Sequence, residues 1–566
     1  MTIDQGGGGM GGGLVPGIYP PPSAMRPTLV GERWAVVAGH PKVAHVAEEI
    51  FQAGGNAVDA GVAAGLASNV VQVDMANLGG IAPILVRPAA SDQCFSVAGI
   101  GRWSQAVNLE EFVERYGGSM PLGGAPSIVP GAPAGWIASL ARFGTMSLGQ
   151  VAAPAIELAR DGFLVDESLA TSLQLMGKRF SRWTSTSEVY RPCDTDLTVG
   201  DRLRQPTLAE LLVHLVHAES RNAGSRAQRL RAAHDAFYVG SVAERLTTWV
   251  TENGGYLLEQ DLRDFEAEID SAPHINVGAW TLFSTPSWTQ GPVALEILGI
   301  LARTRGSLHD LVESITLAFN DREDYLAAPD RLEVPYERFL DEHHLQLCAD
   351  AIGDQALLGR AGTQGVGELR TSTTAVVTMD SDGCTFATSP SDTLDGSPII
   401  PELGIMCSPR GVQSRLDSSH PNSLAPGARP SVTPAALIGL SGSDAWGLAC
   451  PGGDVIVQAL AQVVWNVVRN GLDPQVAVEA PRIAAFNAPS AFHPHPSADR
   501  LVFAENRIDV AECDELRRRG HAVSMWPDFE FDAGSVQTIM LKHNSDNDPY
   551  LLTGADPRRS AYGLAH

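Results

Sequence analysis

Four consecutive hydroxyl-bearing residues, Thr371, Ser372, Thr373 and Thr374, stand between the glycine-rich run AGTQGVGELR and the stretch AVVTM. A threonine hydroxyl is a weak nucleophile unless a base lies beside it, and no Ser/His/Asp triad suggests itself in the chain. A cut in the backbone just before the threonine would supply that base. The freed α-amine, with a pKa of about 8, can take the hydroxyl proton and later hand it to a leaving amine. Taken alone, the four residues leave the register open, and any half-buried strand could begin with such residues. The second group able to do chemistry is PGGD at 451–454. Attack on an amide carbonyl creates an oxyanion that needs fixed donors, and the backbone N–H groups of Gly452 and Gly453 could provide them. Lacking side chains, glycines can aim N–H groups inward and admit a substrate closely. An ordinary glycine turn before a helix would read the same way.

These groups need elements to hold them. The segment AGTQGVGELRTS reads as an exposed loop that delivers TTAVVTM, a half-buried strand by its alternation and β-branching. DSDG then makes a turn with Gly383 at positive φ, and CTFAT returns as the second strand of a hairpin. A further pair, AALIGL and WGLAC, joined by SGSD, leads through PGGD into the helix VIVQALAQVVWNVVRN, with Asp454 as its expected cap and Gly471 just past its end. Upstream, KVAHVAEEIFQAGGNAVDAGVAAGLASNVV predicts two helices parted by Gly54 and Gly55, with Asn56 as N-cap and Asp59 three residues on. The second of these is apolar and small on nearly every face, as befits a helix buried between layers. NLGGIAPILVRPA and CFSVAGIG read as strands, and GWIASLARFG and SLGQVAAPAIELARDG as helices ending near glycines. Residues 200–360 continue helix-rich and show no functional constellation. The mixture indicates an α+β or layered α/β fold.

Composition sets outer limits. With 566 residues, 44% of them hydrophobic, the chain can bury a substantial core. Forty basic against sixty-five acidic residues, a net charge of -25, argue against nucleic-acid binding by general electrostatic attraction. The seven cysteines are scattered without paired ligand spacing, so neither a disulfide framework nor a zinc site is expected, nor any other metal or cofactor. Residues 1–24 read as a flexible Gly/Pro-rich tail without the basic start and apolar core of a secretion signal. No stretch reaches the roughly 18 apolar residues that span a bilayer, because the candidates carry Asp59 or are broken by Gln458, Gln462 and Asn466. A soluble, cytoplasmic protein with no membrane partner is expected.

Several motifs in one order carry a resemblance: GGNAVDA at 54–60, PGAPAGW at 130–136, LARDGF at 158–163, STT at 372–374, PGGD at 451–454 and GADPR at 554–558. Together they resemble the gamma-glutamyltransferase family, over about residue 30 to the C-terminus. The resemblance implies the four-layered αββα sandwich of N-terminal-nucleophile hydrolases, made as one precursor that cuts itself. Counting back from DSDG, similar to the family's turn after its nucleophile strand, places Thr373 as nucleophile and the cut between Ser372 and Thr373. A large subunit of residues 25–372 and a small one of 373–566 would then form one domain, with a higher homo-oligomer left open. Gly452 and Gly453 match the family's glycine pair.

Around the substrate this chain departs from the family's glutamyl-transferring members. TSPSDTLDG is one residue shorter than their segment. Asp392 best matches their asparagine, and Ser391 could supply the missing hydroxyl. GIMCSPRG puts Arg410 and Gly411 where others show asparagines followed by RG or QM. Gln413 stands near the position of the acid that holds a glutamyl amino group, and Ala375 replaces a common histidine. Ile81 and Ala82 replace a run of glycines. Arg102 in GIGRWS resembles the family's arginine for a substrate carboxylate, a bidentate role that suits its fork of donors, although a solvated surface charge reads alike. Arg429 and Ser431 in GARPSVTP match a segment near that carboxylate, two residues shorter here. The expected function is an autoprocessed hydrolase of an amide C–N bond in a small substrate, working through an acyl-enzyme. The alternatives are a γ-glutamyl transferase or glutathione hydrolase, and a noncatalytic homologue that keeps the fold.

Overall fold

The computed structural model describes residues 24–365, 372–394 and 396–566. Apart from its last residue, the tail expected over 1–24 lies outside them, as do residues 366–371 of the glycine-rich loop.

Alternation along the strands sorts apolar side chains into two faces. Both faces are used in an α+β arrangement of two seven-stranded sheets, antiparallel throughout. The first runs Tyr562–Ala565, Trp34–Ala38, Val376–Asp380, Thr385–Thr388, Ala82–Arg87, Phe95–Gly99 and Ile269–Ser271. The second runs Val30–Gly31, Pro549–Ala555, Gln537–His543, Asp444–Ala449, Ala436–Ser441, Trp280–Ser284 and His274–Val277. Val37, Val377, Met379 and Ala387 of the first sheet share one apolar cluster with Ile438, Ala445, Ile539 and Leu541 of the second. Their strand neighbours Val36, Val376 and Phe386 instead join the helices Pro41–Gln52 and Ala57–Val71. In the second sheet Leu282, Leu437 and Leu448 cluster with the helices Gly291–Leu301, Leu308–Tyr325 and Ile456–Asn470.

Both hairpins expected around the chemical groups are present, Val376 pairing with Thr388 and Ala436 with Ala449. Gly383 takes the positive φ that its turn requires. Helix Ala57–Val71 is buried at every residue, and its small side chains let rings come close: a Cβ at Gly61 would lie 2.2 Å from the Phe386 ring. Asn56 and Asp59 form a reciprocal capping box, and Asp59 also accepts from the Thr145 hydroxyl at 2.6 Å.

The structure corrects the expected role of Asp454. A short 3-10 turn, Gly453–Val455, precedes helix Ile456–Asn470, whose first N–H groups receive no side-chain cap. The Asp454 carboxylate is taken elsewhere, by Arg322 Nη1 at 2.9 Å and the Ser490 hydroxyl at 2.8 Å. A charged partner outbids an N-cap contact. At the far end Gly471 closes the helix in the left-handed region, as its position predicts. Among the described residues no helix is long and apolar enough to cross a membrane.

Candidate active site

Thr373 sits just ahead of strand Val376–Asp380, tied by an isolated antiparallel bridge to Ser391, which itself bridges to Ile81. Its side chain is 2% exposed. Thr373 Oγ1 lies 2.8 Å from Ser391 Oγ. The carbonyl oxygen of Ser372, the residue before it, accepts from the hydroxyls of both Thr373 and Ser391. Arg410 Nη2 adds a third donor to the same oxygen at 3.2 Å. Thr374 faces the other way, donating to Gln72 Oε1 at 2.8 Å while its N–H is held by the Pro390 carbonyl.

Arg410 is buried and held from several sides. Its Nε donates to Asp392, Nη2 also to Ser391 Oγ, and Nη1 to Gln413 Oε1 at 3.1 Å. The second Asp392 oxygen accepts from Ser408 Oγ at 2.6 Å. A charge this deeply buried persists only when its lone pairs and protons find such partners. Asp392 has φ 102°, an unusual backbone for a residue with a side chain, and such positions are often held by their surroundings for a purpose.

The PGGD turn follows strand Asp444–Ala449. Gly452 and Gly453 have φ of 142° and 60°, conformations open to glycine and strained for other residues. Pro451 lines the same small cavity as Thr373 and Thr374, which puts the turn beside the hydroxyl run. An adjoining cavity of about 1120 Å³ is lined by Ser372, Asp392, Arg410, Val412 and Phe492 on one side, and by Arg558 and Arg559 on another. Asp74 and Asp166 line both cavities. Burial pushes the Asp74 carboxyl up to about 6, with Asp166 adding to the rise.

Of the residues singled out in the sequence, the fold thus gathers Ser372, Thr373, Ser391, Asp392 and Arg410 within one hydrogen-bonded group, with the glycine pair alongside. Arg102 and Arg429 form a second cluster. Arg102 pairs with Asp330 at 2.6 Å and Glu268 at 3.3 Å, and Arg429 binds the other oxygen of Glu268. Burial pushes the Glu268 carboxyl up, but Arg429 and Arg102 outweigh it and hold it below its ordinary range. Neither arginine is among the residues lining the two cavities beside Thr373. Ser431 donates to the Ser287 carbonyl at 2.7 Å, and its N–H is held by Asn422, which also donates to the Gln413 carbonyl. Sequence reading missed Ser408 and Gln72. Ser408 lies two residues before Arg410, a spacing that carries no mark of its own, and Gln72 only ends an apolar helix.

A half-buried carbonyl ringed by two hydroxyls and a guanidinium, next to a cavity wide enough for a small molecule, suits acyl chemistry at an amide. Comparison with known proteins puts the chain in that class, as an amidohydrolase acting on C–N bonds other than those of the peptide backbone. The chain belongs to the gamma-glutamyltranspeptidase family, whose model matches residues 43–565. It is 26% identical over 546 residues to a glutathione hydrolase-like YwrD proenzyme of Bacillus subtilis, covering 94% of this chain and 98% of the relative. It is 29% identical over 561 residues to an oxamate amidohydrolase proenzyme of Klebsiella pneumoniae, with coverage of 94% and 98%. Among solved structures, the cephalosporin acylase from Bacillus halodurans superposes with a TM-score of 0.84 at 26% identity, over 98% of this chain and 99% of that one.

Proposed function

We propose that the chain is an autoprocessed N-terminal threonine hydrolase, and that its two sheets with their flanking helices make the αββα sandwich of that class. In the self-cleaving step Thr373 Oγ1 attacks the Ser372 carbonyl carbon. A C–O bond forms, the C–N bond breaks, and the hydroxyl proton ends on the Thr373 nitrogen. Water then hydrolyses the ester, leaving a carboxylate on Ser372 and a free α-amine on Thr373. The observation that carries this reading is the Ser372 carbonyl oxygen held by Ser391 Oγ and Arg410 Nη2, donors placed where negative charge would develop. The products are a large fragment ending at Ser372, whose residues 25–372 form the large subunit behind the 1–24 tail, and a small subunit of residues 373–566. In the mature enzyme the α-amine serves Thr373 as base, the N–H groups of Gly452 and Gly453 stabilise the substrate oxyanion, and water resolves the acyl-enzyme.

The acyl group lies against Ser391, Asp392 and Arg410, and it need not be γ-glutamyl. Gln413 is engaged by Arg410 and Thr433 and carries no charge for a substrate ammonium. A carboxylate farther along the substrate could meet Arg102 only by displacing Asp330 or Glu268, with Arg429 and Ser431 shaping the wall behind.

The test is direct. Purified wild type yields two fragments, the smaller beginning at Thr373 by mass spectrometry, and it hydrolyses small acyl amides. Thr373→Ala stays full length and inactive. A wild type that remains one intact, inactive band on incubation sinks the proposal, and fragments that persist in Thr373→Ala reveal simple nicking. The second reading, a glutathione hydrolase, is favoured by the name of the Bacillus subtilis relative. A γ-glutamyl anilide assayed with and without an acceptor dipeptide separates the two.

A further inference from the structure

The helical stretch before the cleavage loop brings four side chains of three chemical kinds together. Helix Gly291–Leu301 contributes Glu296, helix Leu308–Tyr325 contributes Asp321, and helix Glu342–Ala351 contributes His344 and Cys348 one turn apart on one face. His344 Nε2 stands 2.9 Å from an Asp321 oxygen, 3.4 Å from a Glu296 oxygen and 3.3 Å from Cys348 Sγ. One ligand atom from each of the four lies within 4.8 Å of all the others.

Two carboxylates, a thiol and one imidazole nitrogen thus converge on a single point. Nε2 carries either one proton or one lone pair and can serve only one of the carboxylates at a time, while the Cys348 thiol brings a proton of its own. A tetrahedral cation satisfies all four. Atoms bound to zinc at 2.0–2.3 Å lie about 3.3–3.7 Å from one another at tetrahedral angles; the Glu296 and Cys348 atoms already stand at that spacing from Nε2, and the Asp321 oxygen would move out by a few tenths of an ångström. Outer contacts fit as well. Tyr336 donates to the second Glu296 oxygen at 2.7 Å, and the Phe339 ring stands edge-on to His344 at 5.0 Å. Such partners orient metal ligands. The Glu296 side chain is fully buried, whereas His344 is 26% and Asp321 19% exposed, so the group opens to solvent on one side.

We propose that Glu296, Asp321, His344 and Cys348 bind one Zn²⁺ ion, which fastens three helices of the large subunit together. Mixed thiolate, imidazole and carboxylate donors favour zinc over magnesium or calcium. Four protein ligands leave no open position, so the ion is structural. This departs from the sequence expectation of no zinc site, because only His344 and Cys348 are neighbours in sequence.

The test reads metal, not activity. Full-length protein expressed with zinc and dialysed carries about one zinc per chain by mass spectrometry, and His344→Gln and Cys348→Ser each lower occupancy at least about tenfold. Cys193→Ser, at the exposed cysteine, is the control and retains the ion. With Co²⁺ in place of zinc, a thiolate-to-metal charge-transfer band appears, persists in Cys193→Ser and vanishes in Cys348→Ser. Wild type without stoichiometric zinc, uptake indifferent to His344 and Cys348, or a band that survives Cys348→Ser overturns the assignment. Should a variant fail to fold, Asp321→Asn, at a part-exposed ligand, is read in its place, and full zinc occupancy in that variant overturns the assignment.

Discussion

Ser391 is the residue on which the hydroxyl cluster turns, since it touches Thr373 Oγ1, the Ser372 carbonyl oxygen and Arg410 together. Ser391→Ala removes one of the donors to that oxygen, and self-cleavage should slow by about a hundredfold, read as the rate at which full-length chain disappears on a gel. Arg410 and Asp392 answer to a different rule. Either one truncated leaves its partner charged and buried, so Arg410→Gln is expected to destabilise the fold by about 3–5 kcal/mol in urea titration. Asp74 supplies the pH dependence. Its carboxyl, ordinarily near 3.8, titrates at about 6 in the folded protein, so the folded state binds the extra proton between those values. Stability therefore falls as pH rises from the lower value to the higher, and Asp74→Asn should flatten that slope in urea midpoints taken across the range. Thr373 and the glycine pair stood out in the sequence because the motifs STT and PGGD resemble those of a known family, not because their types alone set them apart. Ser408 and the mutual grip of Arg410 and Asp392 were not legible, because ordinary residues joined across a fold leave no local pattern.

At the scale of elements, legibility followed how local the cause was. The Asn56–Asp59 capping box and the Gly471 stop could be read from the chain because their hydrogen bonds close within one turn. Asp454 could not, because Arg322, Ser490 and Ala491 claim its carboxylate from distant segments. The hairpins were legible from alternation, but the order of strands within each sheet was not, since pairing of Trp34–Ala38 with Val376–Asp380 joins residues more than three hundred positions apart. The PGGD turn belongs at this scale too. Gly452→Ala must hold a side chain at φ 142°, at a cost of about 1–3 kcal/mol of stability. Under the proposed mechanism, hydrolysis of acyl amides should fall further than that loss explains, because the Gly452 and Gly453 N–H groups would shift with the turn. Comparing activity at a temperature where the variant is fully folded separates the two effects.

Across the whole molecule, the two sheets interleave what lies before Thr373 with what lies after it. The first sheet alternates Tyr562–Ala565, Trp34–Ala38 and Val376–Asp380, and the second places Val30–Gly31 beside Pro549–Ala555 and Trp280–Ser284 beside Ala436–Ser441. Both apolar clusters flanking the sheets also mix residues from either side of Thr373. Fragments made by self-cleavage should therefore elute together at the size of the uncut chain, and part only in denaturant, as size-exclusion chromatography beside a denaturing gel will show. The same interleaving sets a schedule during synthesis. While a ribosome is still making the strands Gln537–His543 and Pro549–Ala555, the sheet that carries the PGGD turn has an open edge, and the large cavity beside Ser372 lacks the lining that Arg558 and Arg559 supply. The donors around the Ser372 carbonyl are thus in place well before the cavity that a substrate would enter is walled in, so the site is assembled in two stages, hydrogen bonds first and enclosure last.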